Sequence, residues 1–414
     1  MKAFILAAGK GVRLWPLTEN RPKPLLPVGG KPLLVRTIES LVKAGVRDII
    51  VLVNYKASQI KEALGDGLSL GADISYIVQR SPKGTANAVE AGREILEGEE
   101  RFLVVYGDNY YSPKAVQRLV EASRKSSSDL LIGAAKVSDA SQFGRLSIKD
   151  GFVGGIREKA IQKGPGEVIA GFYLMDQSIF PAILKTKLSA RREFELTDSI
   201  QFLIDHDTRF SAVSLHEKEW LGISYPWDLL EANRLALDSM ESAREGTVEP
   251  GVHIHGMLHL SGGSMIRSGC YLEGPVFIGE DASVGPNSYL RPYTVVGEGA
   301  KVGANCDVKN SILMEKAKVP HLSYVGDSII GAGSSLGAGT ITANLRFDDA
   351  AIVSMVKGRR VDTGRRKLGA IIGDNVRTGI HVSLLPGVKV GGGAWIGPGA
   401  VVARDVPTGA RIRR

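Results

Sequence analysis

A glycine-rich loop and two basic residues follow the first apolar run of the chain. Gly9 and Gly11 interrupt the segment AAGKGVR, which contains Arg13, and Lys23 follows in RPKPLLP. Glycines let a backbone approach a triphosphate closely, and the N–H groups there can bind anionic oxygens. Arginine and lysine neutralise phosphate charge. The spacing is neither GxGxxG nor that of a P-loop, so the segment predicts another kind of phosphate-binding loop.

A histidine among basic residues is the second candidate for chemistry. His321 lies in PHLSYVGD, the segment GAGTITAN follows it, and Arg291 and Lys309 precede it. Histidine can take a proton from an attacking amine near neutral pH, and the two cations could hold a sugar phosphate. Amides between glycines could stabilise a thioester oxyanion. A lone histidine is more often structural, so this prediction depends on its neighbours.

The first half of the chain alternates strand and helix patterns, which favours an α/β domain with a parallel sheet. Continuous apolar strands indicate a sheet covered on both faces, with ligands beyond the carboxyl ends of its strands. The predicted strands lie at 2–7, 48–53, 74–79 and 102–108, and the predicted helices at 32–44, 57–64, 85–97 and 227–244.

The second half repeats every six residues. Such a period fits a β-helix, with the aliphatic residue pointing inward and glycine permitting the tight turn beside it. The first unbroken run is Ile266, Leu272, Ile278, Val284, Leu290, Val296, Val302 and Val308, and the last is Ile372, Thr378, Leu384, Val390, Ile396 and Val402. Of the 50 glycines, 28 lie in residues 251–414. The repeat breaks at about 345–370, as expected of an insertion.

Composition excludes several classes of protein. The chain has 414 residues, 43% hydrophobic and 23% charged, with a net charge of +8 and only two cysteines. These values favour a folded multidomain protein without a disulfide framework, and no apolar run is long enough to span a membrane. No signal-peptide pattern is present, so we expect a cytoplasmic protein. We expect no nucleic-acid or membrane partner.

The N-terminal motifs LAAGKGVRL and RPKPLLP resemble those of the sugar-1-phosphate nucleotidylyltransferases. The resemblance implies that a sugar phosphate attacks the α-phosphorus of a nucleoside triphosphate, UTP or dTTP, with Arg13 and Lys23 stabilising charge and Asp108 binding Mg²⁺. It also implies that the base is read by Gln79, Gly84 and Thr85, and that Gly9 and Gly11 lie at the triphosphate. The implied sugar and phosphate contacts are Gly144, Glu158, Lys159 and Thr197.

Three positions depart from the family pattern. The position of a second metal ligand falls at Gly222, which has no side chain, and Ser224 is a weak substitute. An asparagine that contacts the sugar is replaced by Ile169, and EKP becomes Glu158-Lys159-Ala160. These departures leave open whether one carboxylate suffices, the nucleotidyltransferase half is weakened, or its sugar differs.

The segments LRPYT, PHLSYVGD, GAGTITAN, ANLRFD and GRRKLGA resemble the archaeal bifunctional sugar-1-phosphate nucleotidylyltransferase/acetyltransferases over nearly the whole chain. The resemblance implies acetyl-CoA as co-substrate, a homotrimer, and His321 as the catalytic base. It implies substrate contacts at Arg291, Lys309, Tyr324 and Asn344, and acetyl-CoA contacts at Ala338, Arg366 and Lys367. A lysine of the family after RFD is missing here.

The predicted architecture is a Rossmann-like α/β nucleotidyltransferase domain at 1–226, a linker helix at 227–250, and an all-β left-handed parallel β-helix of hexapeptide repeats at 251–414. The leading hypothesis is a bifunctional enzyme that acetylates glucosamine-1-phosphate with acetyl-CoA and transfers a uridylyl group from UTP to N-acetylglucosamine-1-phosphate. Alternatives are a glucose-1-phosphate thymidylyl- or uridylyltransferase with a structural β-helix, an acetyltransferase with a degenerate head, and a non-enzymatic scaffold. The cluster around His321 argues against the first alternative, and Gly222 and Ile169 favour the second.

Overall fold

The computed structural model describes residues 1–126, 129–158 and 164–413. The chain forms two compact units. The first comprises Met1–Lys10, Pro22–Leu25 and Pro32–Gly222, and the second comprises Gly11–Arg21, Leu26–Lys31 and the chain from Ile223 onward. Two segments of the loop that follows the first strand, residues 11–21 and 26–31, therefore belong by their contacts to the second unit.

Thirteen strands and eight α-helices occur in the described residues up to 242. The strands are β1 (Ala3–Leu6), β2 (Pro27–Val28), β3 (Lys31–Pro32), β4 (Asp48–Val53), β5 (Asp73–Val78), β6 (Arg101–Tyr106), β7 (Tyr110–Tyr111), β8 (Leu130–Val137), β9 (Gly144–Lys149), β10 (Phe152–Glu158), β11 (Gly166–Asp176), β12 (Phe210–Leu215) and β13 (Trp220–Leu221). The helices are α1 (Leu33–Lys43), α2 (Ala57–Leu64), α3 (Thr85–Glu90), α4 (Arg93–Leu96), α5 (Pro113–Lys125), α6 (Ile179–Lys185), α7 (Leu196–Ile204) and α8 (Asp228–Asp238).

The first unit is built on a nine-stranded mixed sheet of order β5-β4-β1-β6-β11-β8-β12-β10-β9. Strands β5, β4, β1 and β6 are mutually parallel, which confirms the four predicted strands and their direction. Strand β11 runs antiparallel to β6, and a further parallel pair, β8 with β12, follows beyond it. Two separate apolar clusters cover the two faces of the sheet, as its continuous apolar strands require.

The predicted helix at 85–97 is divided into α3 and α4. Gly92 lies at the division, and a Cβ there would come 2.8 Å from the ring of Phe4 on the first strand. The close approach of this turn to the sheet therefore requires glycine. A glycine also lowers helix stability, so the division is expected locally.

The second unit contains a parallel β-helix with three faces. The first face consists of Ala243–Arg244, Leu258–Leu260, Val276–Ile278, Thr294–Val296, Ile312–Leu313, Ile329–Ile330, Ile371–Ile372 and Lys389–Val390. The second consists of Thr247–Val248, Met265–Ile266, Ser283–Val284, Lys301–Ala304, Lys318–His321, Arg377–Thr378, Trp395–Ile396 and Arg411–Ile412, with Ser335 bridging Lys318 and Arg377. The third consists of His253–His255, Tyr271–Glu273, Tyr289–Leu290, Asp307–Lys309, Tyr324–Gly326, Ile341–Thr342, Ser383–Leu384 and Val401–Val402.

Each coil pairs in parallel with the next, and the inward residues stack. Leu272 pairs with Leu290, which pairs with Val308, so one coil corresponds to three six-residue repeats. The aliphatic residues of the repeat form one buried column of side chains. The predicted α/β domain with a parallel run of strands and the predicted parallel β-helix that follows it are therefore both confirmed.

The glycines beside the inward residues have a different role from the one predicted. The residues with positive φ lie three positions after the aliphatic residue, as at Asp281, Asn287 and Asn305, whereas the φ of Gly303 is not positive. A Cβ at Gly303 would overlap the carbonyl oxygen of Pro320 in the neighbouring coil. Glycines such as Gly303 therefore let successive coils approach each other. The turn itself uses Asp, Asn or a further glycine such as Gly299 or Gly339, all of which tolerate this conformation.

The predicted linker differs most from the structure. Helix α8 ends at Asp238, and Ala243–Arg244 already belongs to the β-helix. The N–H groups of Glu245 and Thr247 donate to the carbonyls of Leu260 and Ser264, each at 2.8 Å. Backbone pairing with the next coil thus replaces the helical pattern expected to continue to residue 244.

The interruption of the repeat is an insertion between two coils. It contains an antiparallel hairpin of Val353–Val356 and Arg359–Asp362. The strands Ile329–Ile330 and Ile371–Ile372, before and after it, pair directly, so the β-helix continues across the insertion. Within the described residues, no helix is long and apolar enough to cross a membrane.

Gly303→Ala tests the close packing of the coils. We expect it to lower the free energy of unfolding by about 1–3 kcal/mol, because the new Cβ would overlap the Pro320 carbonyl. Gly262→Ala is the matched control, because no atom lies within 4 Å of a Cβ at Gly262. Thermal or denaturant unfolding of both variants measures the difference, and equal stabilities would contradict the packing explanation.

Two candidate active sites

A cleft of about 470 Å³ lies in the first unit, where strands β1 and β6 end. This is the edge at which parallel α/β sheets bind ligands. Five predicted residues line it together, namely Gly9, Gln79, Gly84, Thr85 and Asp108. Its other lining residues include Tyr106, Lys83, Arg191 and Arg192.

Lys23 and Asp108 form an ion pair in the first unit. The Lys23 ammonium lies 2.7 Å from a carboxylate oxygen of Asp108, and Lys23 is only 8% exposed. Among the described residues, no group of three histidine, cysteine or acidic side chains could hold a metal. Mg²⁺ usually binds one or two carboxylates together with substrate phosphates and water, so the single half-buried Asp108 suits that ion.

Phe143 explains the absence of a second carboxylate at residue 222. A Cβ at Gly222 would come 2.6 Å from the edge of the Phe143 ring, which packs against Trp220 with ring centroids 5.5 Å apart. An aspartate would therefore have to displace this aromatic pair. The packing of Phe143 against Trp220 therefore fills the space that a side chain at residue 222 would need.

The predicted base-reading stretch is held in place by its own contacts. The Gln79 amide nitrogen donates to Asn87 at 2.9 Å, and the Thr85 hydroxyl accepts the N–H of Leu196 at 2.9 Å. Gly84 has a φ of 118°, and a Cβ there would overlap the Phe194 backbone. The turn is thus fixed before any ligand binds, which lowers the entropy cost of binding.

The residues predicted to contact the sugar also lie together. A Cβ at Gly144 would come 3.0 Å from the Glu158 carboxylate and 3.3 Å from the Thr197 methyl group, with Ile169 beside them. The Thr197 hydroxyl is buried without a hydrogen-bond partner. A buried unsatisfied hydroxyl is costly, so this atom suits a bound substrate. Lys159 lies outside the described residues.

Arg191 joins the cleft to the predicted sugar contacts, and sequence reasoning missed it. It lines the cleft and pairs with Glu158 at 2.9 Å and with Glu195 at 2.7 Å. The adjacent Arg192 also lines the cleft. Two consecutive arginines in the sequence were the feature that could have indicated a phosphate-binding role here. Nearby, burial raises the pKa of the Tyr106 phenol, which therefore stays neutral.

Gly11 and Arg13 belong to the loop of residues 11–21 in the second unit. Gly11 has a φ of 61°, and its carbonyl accepts hydrogen bonds from the Leu14 N–H and the Thr18 hydroxyl. The Arg13 guanidinium lies 5.7 Å from the centroid of the Tyr225 ring. Both hydrogen bonds end on the Gly11 carbonyl, so Arg13 lies within a closed turn.

On the β-helix, four predicted residues form a connected polar cluster. Arg291 pairs with Asp307 and Lys309 pairs with Asp327, each at 3.7 Å. The Asn344 amide donates to the Tyr324 hydroxyl at 3.1 Å and to Asp327 at 2.5 Å. Asp307 and Asp327 were missed, although Asp327 follows Tyr324 closely in HLSYVGD.

A cavity of about 440 Å³ adjoins this cluster and is lined by Glu231, Arg234, Glu273, Arg291, Pro292, Tyr293, Lys309, Asn310, Asp327 and Arg365. The repeat is one residue short at two corners beside it, since the spacing from Val308 to Leu313 and from Val325 to Ile330 is five instead of six. Asn310 and Asp327 occupy these corners with positive φ.

Asp307 has an unusual environment within the cluster. Its Oδ1 atom is buried without a hydrogen-bond partner. Burial raises the pKa of Asp307, and the charges of Arg291 and Lys309 oppose that shift. The free oxygen is an acceptor that a hydroxyl or amino group of a sugar could satisfy.

His321 is exposed at the corner between the second and third faces. Its ring takes part in none of the hydrogen bonds or ion pairs found for the described part of the chain, so the cluster does not include it. The predicted acetyl-CoA contact Ala338 lies in the next coil at the same corner, where the Gly339 N–H donates to the His321 carbonyl at 3.1 Å. His321 and Ala338 are therefore neighbours.

Arg366 and Lys367 lie at the end of the insertion, and both are exposed. Arg366 pairs with Asp349 at 2.7 Å. Neither residue lines the cavity beside the polar cluster. Within the second unit, the two basic residues are thus available at the surface.

The fold and the two sites define a class of protein, a nucleotidyltransferase joined to a hexapeptide β-helix. Residues 2–239 match the family model of the nucleotidyl transferases, and residues 272–385 match the model of the GMPPB C-terminal domain. A putative glucose-1-phosphate thymidylyltransferase from Bacillus anthracis, solved with sucrose, is 28% identical and covers 59% of this chain and 98% of its own, with a TM-score of 0.53.

Relatives that match this chain over nearly its whole length show to which family within this class it belongs. A bifunctional sugar-1-phosphate nucleotidylyltransferase/acetyltransferase from Sulfurisphaera tokodaii is 43% identical over 99% of both chains. The bifunctional protein GlmU of Methanocaldococcus jannaschii is 40% identical over 98% of this chain and 96% of its own. The chain therefore belongs to the bifunctional sugar-1-phosphate nucleotidylyltransferase/acetyltransferase family, and it is an enzyme.

Gly222→Ala tests the aromatic obstruction at the missing ligand position. We expect a loss of about 1–3 kcal/mol in unfolding free energy, because the Cβ meets the Phe143 ring. In the Phe143→Leu background the same change should cost less, since the ring edge is gone. Denaturant unfolding of the four proteins measures this coupling, and additive effects would show that Phe143 does not exclude a side chain there.

Proposed function

We propose that the chain makes UDP-N-acetylglucosamine from glucosamine-1-phosphate in two reactions at two sites. The second unit transfers an acetyl group from acetyl-CoA to the amine of glucosamine-1-phosphate. The first unit then joins N-acetylglucosamine-1-phosphate to UTP and releases pyrophosphate. The order follows from chemistry, because the product of the first reaction is the acceptor of the second.

The polar cluster on the β-helix is the observation that carries the proposal. A nucleotidyltransferase with a purely structural β-helix would not need Arg291, Lys309, Tyr324 and Asn344 together beside a cavity, or a buried Asp307 oxygen without a partner. Buried polar groups are costly unless a partner satisfies them, and a phosphorylated amino sugar offers cationic, donor and anionic groups in one ligand.

In nucleotidyl transfer, a sugar-phosphate oxygen attacks the α-phosphorus of UTP, and the bond to the bridging oxygen of pyrophosphate breaks. Gln79, Gly84 and Thr85 would hold the base, with the sugar beside Gly144, Glu158 and Thr197. Gly9 and Gly11 would bring backbone amides to the triphosphate, while Lys23 and Arg13 would stabilise its charge. Asp108 would hold Mg²⁺, which supplies further charge neutralisation on the phosphates when bound.

In acetyl transfer, the amine nitrogen of glucosamine-1-phosphate attacks the thioester carbonyl. The carbon–sulfur bond then breaks and coenzyme A leaves. His321 would take the proton that the amine loses, with Arg291 and Lys309 on the sugar phosphate and Tyr324 and Asn344 on the sugar. The neighbouring corner at Ala338 would receive the acyl group, and Arg366 and Lys367 would approach the phosphates of coenzyme A.

We also propose that the protein is a cytoplasmic homotrimer. An exposed His321 on a corner of a β-helix leaves room for a second copy of the chain to complete the acetyl-CoA site. The substrates UTP, sugar phosphates and acetyl-CoA are all small molecules. A glucose-1-phosphate acceptor or dTTP in the first site is the alternative, supported by the 34% identity to a glucose-1-phosphate thymidylyltransferase of Streptomyces griseus over 65% of this chain.

His321→Ala should lower acetyl transfer about 10²- to 10⁴-fold, the range of general-base contributions, and leave nucleotidyl transfer nearly unchanged. Release of coenzyme A and of pyrophosphate, measured separately with the same protein, gives the two rates. His255→Ala is the matched control, because His255 is also exposed on the β-helix. Equal loss of both activities in His321→Ala would contradict two separate sites.

Asp108→Asn should have the reciprocal effect. Removing the carboxylate charge takes away the proposed Mg²⁺ ligand and the partner of Lys23, so Mg²⁺-dependent pyrophosphate release should fall about a hundredfold or more. Coenzyme A release should not change. Unaltered Mg²⁺-dependent turnover would show that the metal lies elsewhere.

A further inference from the structure

The loop of residues 11–21 is fixed to the β-helix by an ion pair at its end. Both terminal nitrogens of Arg21 contact the Glu315 carboxylate, one of them at 3.2 Å, and Asp374 lies 3.9 Å away. The Arg21 side chain is only 16% exposed, whereas that of Glu315 is 40% exposed. Removing Glu315 would therefore leave a largely buried cation with one distant partner.

Glu19 makes a second attachment two residues earlier. One carboxylate oxygen accepts the Gly392 N–H at 2.9 Å, and the other accepts hydrogen bonds from the Thr408 hydroxyl and from the Trp15 indole, the latter at 2.6 Å. Glu19 thus connects the last coils of the β-helix with the middle of the loop.

Two glycines of the β-helix make room for the loop. A Cβ at Gly373 would come 3.1 Å from Pro16, and a Cβ at Gly392 would come 3.2 Å from the Glu19 carboxylate. Lys389, buried in the same region, places its ammonium 5.2 Å from the centroid of the Trp15 ring. Shape and charge of the β-helix therefore both fit residues 15–21.

The attachments are transmitted to Arg13 through the closed turn. The Gly11 carbonyl accepts hydrogen bonds from Leu14 and from the Thr18 hydroxyl, at 2.9 and 3.0 Å. Thr18 directly precedes Glu19, so the closed turn that contains Arg13 directly adjoins a residue attached to the β-helix. A displacement of about 1 Å in a group that contacts reacting phosphates can cost about a hundredfold in rate.

We propose that Glu315 and Asp374 of the β-helix are positioning residues for nucleotidyl transfer, acting through the Arg13 loop. The proposal rests on the role of Arg13 at the triphosphate proposed above. The coils of the β-helix would then contribute to nucleotidyl transfer as well as to acetyl transfer, because they hold the loop that carries Arg13.

Glu315→Gln in the full-length protein tests the proposal. Its kcat/KM for UTP in pyrophosphate release should fall about ten- to a hundredfold, and its Kd for UTP in calorimetry should rise, because Arg13 is no longer held. Acetyl transfer should change little, because Glu315 is not part of the polar cluster of the second site. Glu298→Gln is the matched control, because Glu298 occupies the same position one coil earlier and is exposed.

A double variant separates positioning from a general structural effect. In an Arg13→Ala background, Glu315→Gln should change kcat/KM and Kd less than about twofold, since both act through one side chain. Effects that multiply, or a Glu315→Gln protein that binds UTP as tightly as Glu298→Gln, would overturn the proposal. Wild-type protein that binds UTP but releases no pyrophosphate would instead refute the proposed function, and the Kd comparison would still decide the role of Glu315.

Discussion

The parallel register between successive coils of the β-helix is the constraint on which most of this structure depends. Because each coil pairs residue for residue with the next, the inward aliphatic residues stack and the outward residues align in columns. Buried serine hydroxyls complete the pairing at the corners, as where Ser311 accepts the N–H of Ser328 at 3.0 Å and donates to the carbonyl of Lys309 at 2.7 Å. The polar cluster of the second site is a direct product of this alignment. The residues that contact the loop of residues 11–21, such as Glu315 and Gly392, also lie on these coils.

The first unit positions its site differently, by ending parallel strands at one edge. Asp108 follows the strand that ends at Tyr106, and Gly9 follows the strand that ends at Leu6. A rigid sheet can therefore hold Asp108, the ion-pair partner of Lys23, at the cleft. Gly222, which Phe143 crowds, supplies no carboxylate, and the proposed chemistry relies correspondingly on basic groups.

The sequence predicts the β-helix well because inward residues must repeat at every coil, and that repeat is visible in the chain. It also predicts the parallel strands that carry the first site. It does not predict Arg191, whose role comes from a contact with Glu158 that no local pattern records. The attachment of residues 11–21 to Glu315 and Gly392 was equally hidden, since these contacts span about 300 residues or more. The end of α8 was misplaced because amphipathic spacing continues where backbone pairing with Leu260 already determines the structure.

One measurement tests the central claim, that a single chain performs both reactions, most directly. Purified protein is given glucosamine-1-phosphate, acetyl-CoA, UTP and Mg²⁺, and the phosphorus resonances of the mixture are followed over time. We expect that N-acetylglucosamine-1-phosphate forms first and is converted into UDP-N-acetylglucosamine, with equal amounts of coenzyme A and pyrophosphate released. Accumulation of the acetylated sugar phosphate without pyrophosphate, or formation of UDP-glucosamine without acetylation, would contradict it.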